Sequence, residues 1–82
     1  LSAENQWFAR FMQAKLSRDY AAAIPFLSRL LANDRASLDP IDRLYLQVSL
    51  AQLQNLAGDH AAAGLNARAA LSALEALART QS

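Results

Sequence analysis

The stretch RDYAAA at residues 18–23 recurs 40 residues later as GDHAAA at residues 58–63. Each copy has an Asp followed by a run of Ala. This order is typical of a point where one helix ends and the next begins, because the Asp carboxylate can accept hydrogen bonds from the free N–H groups of the new first turn. Repetition at a fixed spacing is the sequence signature of a repeat architecture. We therefore predict that the chain contains two copies of one helical hairpin.

Apolar residues recur at helical spacing on both sides of each copy, while Ala and Leu dominate the composition and favour helix over strand. Asp39 followed by Pro40 marks another helix start, Gly58 provides a left-handed stop before Asp59, and Pro25 predicts a mild kink. The predicted fold is all-α: two antiparallel helical hairpins, about residues 3–33 and about 40–79, joined by a loop at 33–39. The predicted helices span about residues 3–16, 20–33, 40–57 and 60–79.

The apolar stripes of these helices predict the core. In the first helix Trp7 and Phe11 are expected to be buried. The second helix is expected to bury Ala23, Ile24, Leu27, Leu30 and Leu31. The third helix has two stripes and is therefore expected to lie between neighbours; the stripes are Ile41, Leu44, Tyr45, Val48 and Ala51, and Leu46, Leu50, Leu53 and Leu56. The last helix is expected to turn inward Ala63, Ala67, Ala70, Leu71, Leu74 and Leu77.

A period of 40 residues fits a HEAT or armadillo array, or a tetratricopeptide array with a lengthened loop. Gly58-Asp59-His60 followed by Ala63, with Leu50-Ala51 upstream and Ala70 downstream, resembles the Gly-Asp-Tyr-x-x-Ala turn and small packing residues of the tetratricopeptide repeat (TPR) family. The first copy has corresponding residues at Trp7, Asp19, Tyr20, Ala23 and Leu30. The chain departs from the family pattern at three positions. Arg18 replaces the turn Gly, Phe11 stands where a small residue is usual, and Gln54 stands where a Tyr is usual.

The long loop is similar to a TPR subclass found in kinesin light chains and bacterial regulators. The resemblance covers nearly the whole chain and implies one TPR-like domain, residues 1–82, whose hairpins stack as a right-handed superhelix. Two repeats leave apolar edges at Leu65, Leu71, Leu74 and Leu77. We therefore expect either a piece of a longer repeat array, or a face that pairs with another copy of the chain, as in a homo-oligomer, or with another protein.

Composition excludes several classes of function. Eight Lys and Arg stand against seven Asp and Glu, a net charge of +1, and the basic residues are scattered, so nucleic-acid binding is not expected. The absence of Cys excludes a disulfide scaffold and leaves the compartment undecided between cytoplasm and periplasm. No apolar run approaches the roughly 20 residues that span a bilayer, so membrane insertion is not expected.

We predict no enzyme activity, metal or cofactor. His60 is the single histidine, and Gly64 lies four residues later, as in His phosphotransfer domains. Those domains place a Lys before the Gly, where this chain has Ala63, and set the His in mid-helix. We therefore prefer a structural role for His60 and keep phosphotransfer as a distant alternative. The Asp residues fall at helix starts, and no Ser lies in a nucleophile motif.

The resemblance implies that the first helix of each hairpin lines a concave binding face. The function expected on this basis is a non-enzymatic protein–protein interaction module that binds a peptide or partner protein. A small secretion or regulatory chaperone of the same fold is the alternative. The candidate contact residues are Asn5, Phe8, Met12 and Lys15 in the first copy, and Tyr45, Ser49, Gln52 and Asn55 in the second. Phe8 and Tyr45 have a second interpretation, as filling between the repeats.

Overall fold

The computed structural model describes residues 3–33 and 38–80, and their side chains apart from those of residues 3–5, 7 and 8. This part of the chain forms four α-helices and no strand. The helices are α1 (Ala3–Leu16), α2 (Tyr20–Ala32), α3 (Pro40–Leu56) and α4 (His60–Thr80). The predicted all-α fold and its helices are confirmed, with each boundary within one residue of its predicted position. We call α1 and α2 hairpin 1, and α3 and α4 hairpin 2.

Asp side chains cap the starts of α2, α3 and α4, as predicted. The Oδ1 atoms of Asp19, Asp39 and Asp59 each accept a hydrogen bond from the backbone N–H three residues later, at 3.3, 2.8 and 3.2 Å respectively. Each bond satisfies an N–H group that has no partner within the helix. Pro40 follows its cap at the start of α3, where its missing N–H costs nothing. Local chemistry therefore fixes where these helices begin.

The turns inside the two hairpins have the same hydrogen-bond pattern. The N–H groups of Asp19 and Asp59 donate to the carbonyl oxygens five residues earlier, at 3.0 and 2.8 Å. This closure requires a left-handed residue just before, and that residue is Arg18 (φ 61°) in one turn and Gly58 (φ 93°) in the other. The repeat seen in the sequence is thus also a repeat of backbone structure.

Replacing Gly58 with Ala is expected to lower the free energy of unfolding by about 1 kcal/mol, because a Cβ at positive φ clashes with the backbone. No other atom lies within 4 Å of the position a Cβ would take, so the loss reports backbone strain alone. The matched control is Arg18→Gly, which removes a Cβ from the equivalent turn. This variant is expected not to lower the free energy of unfolding. Urea unfolding followed by circular dichroism measures both, and an equal loss in the two variants would contradict this account.

The helices pack in chain order: α1 on α2, α2 on α3, and α3 on α4. One hydrophobic cluster lies between hairpin 1 and α3, and Phe11 and Leu27 at its centre are 0% exposed. Phe11 confirms the core prediction for α1, while the side chain of Trp7 lies outside the described residues. The described residues of the cluster are Phe11, Ala14, Ala23, Leu27, Leu30, Leu46, Leu50 and Leu53.

Hairpin 2 differs from the sequence prediction. On α4 only Ala63 and Ala70 are buried; Ala67, Leu71 and Leu74, predicted to face inward, are exposed and Leu77 is half-buried. The reason is that no described element covers the apolar face that α4 shares with α3, since α3 is the only described helix that packs on α4. On α3, the stripe containing Leu46, Leu50 and Leu53 is buried against hairpin 1 as predicted. The exceptions on this helix are Ile41, Tyr45, Val48 and Leu56, which are exposed.

Candidate functional site: a groove between α3 and α4

An open groove of about 620 Å³ runs along hairpin 2 between its two helices. Among the described residues, no Asp, Glu, Lys or Arg side chain lines it. We call it the α3–α4 groove. Helix α3 contributes Leu44, Val48, Ala51, Gln52 and Asn55. Helix α4 contributes Ala63, Gly64, Ala67, Ala70, Leu71 and Leu74, and His60 lies at one end.

The shape of the groove follows from the sizes of its side chains. Ala63 and Ala70, 8% and 5% exposed, form part of its floor where α4 packs on α3. Gly64 and Ala67 are exposed and fill little space, so the groove stays open above them. Its rims carry larger apolar residues, which are 40%, 56% and 51% exposed at Val48, Leu71 and Leu74 respectively. Water therefore contacts an apolar surface that a protein partner would cover favourably.

One end of the groove is polar. A hydrogen bond of 2.6 Å joins His60 Nδ1 to Asn55 Oδ1, and both residues are exposed. This bond connects the last turn of α3 to the first residue of α4. Gln52, also exposed, lies one turn before Asn55 along α3. Gln52 and Asn55 are therefore the predicted contact residues that the structure places in the groove, and they are uncharged.

Other predicted contact residues lie where α1 approaches α3. Lys15 Nζ is 5.8 Å from the ring centroid of Phe11 and 5.9 Å from that of Tyr45, so the ammonium group is within cation–π range of both rings. Tyr45 is 55% exposed, which places it at the surface rather than as filling between the repeats. Met12 is half-buried and packs against the core cluster.

Ser49 does not lie on any exposed face. It is 3% exposed, and its hydroxyl donates to the carbonyl oxygen of Tyr45 at 2.9 Å, so the prediction that it points outward is wrong. A short hydroxyl that bonds to its own helix needs no water and can be buried. The side chains of Asn5 and Phe8 lie outside the described residues. Of the predicted contact residues, Gln52 and Asn55 thus lie in the groove, while Lys15 and Tyr45 contact each other.

A polar network that was not predicted from the sequence joins α3 and α4. Asn66 Nδ2 donates to Gln54 Oε1 at 2.7 Å, and Gln47 Nε2 donates to Asn66 Oδ1 at 2.8 Å. Gln54 is only 9% exposed, so its amide depends on this partner. The signal in the sequence was an Asn within the Ala-rich α4, because Asn is disfavoured inside helices unless its side chain has a role.

The described residues contain no group of three or more His, Asp or Glu side chains placed to hold a metal ion. In residues 3–33 and 38–80, none of the helices combines the length and hydropathy needed to cross a bilayer.

Comparison with known proteins does not assign this chain to a family. No family model matches the sequence, and neither curated proteins nor solved structures give a match. The TPR resemblance therefore stays a prediction based on the turn residues. The function must be inferred from the geometry of the chain itself.

Proposed function

We propose that this chain is a non-enzymatic protein–protein interaction module, formed by two stacked TPR-like hairpins, and that it binds a partner protein in the α3–α4 groove. The observation that carries this proposal is the exposed, uncharged groove with apolar rims at Val48, Leu71 and Leu74. An apolar concavity with a few polar groups at one end is the usual form of a binding site. A surface of this kind favours contact with another apolar surface over contact with water.

Burial of the apolar rims by a partner contributes substantially to the free energy of binding. Complete burial of one Leu or Val side chain contributes about 1.5–3 kcal/mol. Because Val48, Leu71 and Leu74 are each roughly half exposed, covering all of them contributes about 2–4 kcal/mol in total. This supplies part of the free energy that must offset the loss of translational and rotational freedom on association.

Polar residues in and beside the groove orient a bound partner through hydrogen bonds. Gln52 and Asn55 are exposed on α3 and offer amide donors and acceptors to a partner backbone. On the adjoining surface Lys15 is the basic residue next to Tyr45. This set does not resemble the several cationic side chains needed to grip a terminal carboxylate. It supports a partner held mainly by apolar side chains.

The alternative of phosphotransfer through His60 has less support. His60 is the first residue of α4, and its Nδ1 atom is engaged with Asn55. Its counterpart in the first repeat is Tyr20, also the first residue of its helix. A structural role for a ring at the first residue of the second helix accounts for both residues, since Tyr20 packs against the core cluster and His60 bonds to Asn55. Phosphotransfer accounts for neither Tyr20 nor the bond to Asn55.

Replacing Leu71 with Asp is expected to reduce capture of a partner from native extract by about tenfold or more, because binding would bury an unpaired carboxylate. The measurement is a pull-down with this chain as bait, in which each captured protein is quantified against the wild-type bait. Leu71 is 56% exposed, so the variant is expected to keep its helical circular dichroism.

The matched control is Leu65→Asp, which introduces the same charge on the same helix. Leu65 is 67% exposed and does not line the groove. Capture by this control is expected to stay within about twofold of wild type. A partner lost equally with both variants, or with neither, would mean that the groove is not the binding site.

A further inference from the structure

The α3–α4 groove has an equivalent in hairpin 1, and that equivalent is filled. The 40-residue offset relates Ala63 to Ala23, Ala67 to Leu27 and Ala70 to Leu30. In hairpin 1 these counterparts are 0%, 0% and 2% exposed. They belong to the core cluster, together with α3 residues Leu46, Leu50 and Leu53. The face of hairpin 1 that corresponds to the groove therefore holds a helix, and that helix is α3.

Helix α3 shows which features an occupant of this face uses. Its apolar side chains at 46, 50 and 53 follow the spacing i, i+4 and i+7, which keeps them on one side of a helix. Its margins add polar contacts: Arg43 Nη1 donates to the carbonyl oxygen of Leu31 at 2.8 Å, and Tyr45 contacts Lys15. An amphipathic helix thus fits a face of this design.

The groove of hairpin 2 offers the same face with more room. Gly64, Ala67 and Ala70 stand where hairpin 1 has Ile24, Leu27 and Leu30. Smaller residues on the floor leave space that an occupant must fill with larger side chains, since unfilled space forfeits packing energy. The groove therefore selects Leu or aromatic residues at the central positions of the occupant.

A second copy of this chain does not supply such a helix through its first hairpin. The offset relates the apolar residues 46, 50 and 53 of α3 to Gln6, Arg10 and Gln13 of α1, and all of these are exposed. Entry of α1 would bury the Arg10 guanidinium against an uncharged lining, which is costly for an unpaired charge. Head-to-tail stacking of copies is therefore disfavoured.

We propose that the occupant of the α3–α4 groove is an amphipathic helix of a partner protein, lying on hairpin 2 as α3 lies on hairpin 1. Its contacting residues are large and apolar at i, i+4 and i+7. This inference rests on the proposed function and specifies the form of the partner. The carrying observation is that the same face, 40 residues earlier in the chain, already binds a helix with this pattern.

The test uses peptides that copy α3 itself, residues 39–57, added to the ¹⁵N-labelled full chain and followed by NMR. Binding is expected to shift the amide signals of Val48, Ala67 and Leu71, and to leave those of α1 and α2 unchanged. A peptide with Leu50→Phe is expected to bind about threefold more tightly, because its larger side chain fills the space above the Ala floor. A Leu50→Gln peptide is expected not to bind.

Matched protein variants separate the groove from other surfaces. Leu71→Asp is expected to weaken peptide binding by about tenfold or more, and Leu65→Asp by less than about twofold. Failure of both the wild-type and the Leu50→Phe peptide to bind overturns the inference. If a protein partner still depends on Leu71 in the pull-down, that failure leaves the proposed function standing.

Two further results also overturn it. Shifts on α1, α2 and α3 that leave the signals of Ala67 and Leu71 unchanged would mean that the peptide displaces α3 from hairpin 1 instead of entering the groove. A dimer seen in sedimentation of the chain alone, and lost in the Leu71→Asp variant, would mean that a second copy covers the groove. A monomer that binds the α3 peptide with shifts on α3 and α4 is the result expected for a helix of a partner.

Discussion

Replacing Phe11 with Ala is expected to lower the free energy of unfolding by about 3–5 kcal/mol. Phe11 is 0% exposed and lies in the cluster where hairpin 1 meets α3. Ala leaves a cavity that Leu27 and Leu46 cannot fill without moving, so lost transfer energy and lost packing add together. A domain of this size has a total stability of only about 4–12 kcal/mol. Urea unfolding followed by circular dichroism measures the loss.

The matched control for Phe11 is Phe26→Ala, which removes the same side chain from α2. Phe26 is half-buried and packs at the edge of the cluster. Its expected loss is about 1–2 kcal/mol, since its ring is only partly removed from water. A larger loss for Phe26 than for Phe11 would show that the centre of the core lies elsewhere.

The helices were predictable because their boundaries depend on local chemistry. An Asp that caps a helix forms its hydrogen bond with a residue only three positions away. The caps at Asp19, Asp39 and Asp59 can therefore be predicted from the local sequence. The left-handed stop at Gly58 is similarly local. Boundaries that need no distant residue can be inferred from a single chain.

The environment of α4 was not predictable in the same way. Apolar periodicity indicates that one face of a helix avoids water, but it does not identify what covers that face. Ala67, Leu71 and Leu74 belong to an apolar face that no described element covers. Ser49 shows the reverse: its position suggested an outward side chain, and a bond to its own helix allows burial.

The candidate site could have been found in the sequence by comparing the repeats in detail. The 40-residue offset pairs Leu27 with Ala67 and Leu30 with Ala70, so the second copy loses volume at the positions that fill the first. Loss of volume at equivalent core positions predicts a groove. Contact residues chosen from the TPR resemblance instead placed the site on α1 and α3, of which Gln52 and Asn55 lie in the groove.

The second variant with a large expected effect on stability disrupts the hydrogen-bond network of Gln47, Gln54 and Asn66. Replacing Asn66 with Leu is expected to lower the free energy of unfolding by about 1–3 kcal/mol, because Gln54 Oε1 loses its donor while its side chain stays buried. Gln54 is 9% exposed, so water reaches its amide poorly. Gln47→Leu removes the half-buried end of the network and is expected to cost less than about 0.5 kcal/mol. Urea unfolding compares the two.

A double variant distinguishes an unpaired buried amide from a simple loss of packing. Gln54→Leu combined with Asn66→Leu replaces both partners by apolar side chains, so no buried oxygen is left without a donor. Its stability is expected to lie within about 0.5 kcal/mol of wild type, and therefore above that of Asn66→Leu alone. Additive losses in the double variant would contradict this explanation. Recovery would show that the loss in Asn66→Leu comes from the buried Gln54 oxygen left without a donor, and not from lost packing between α3 and α4.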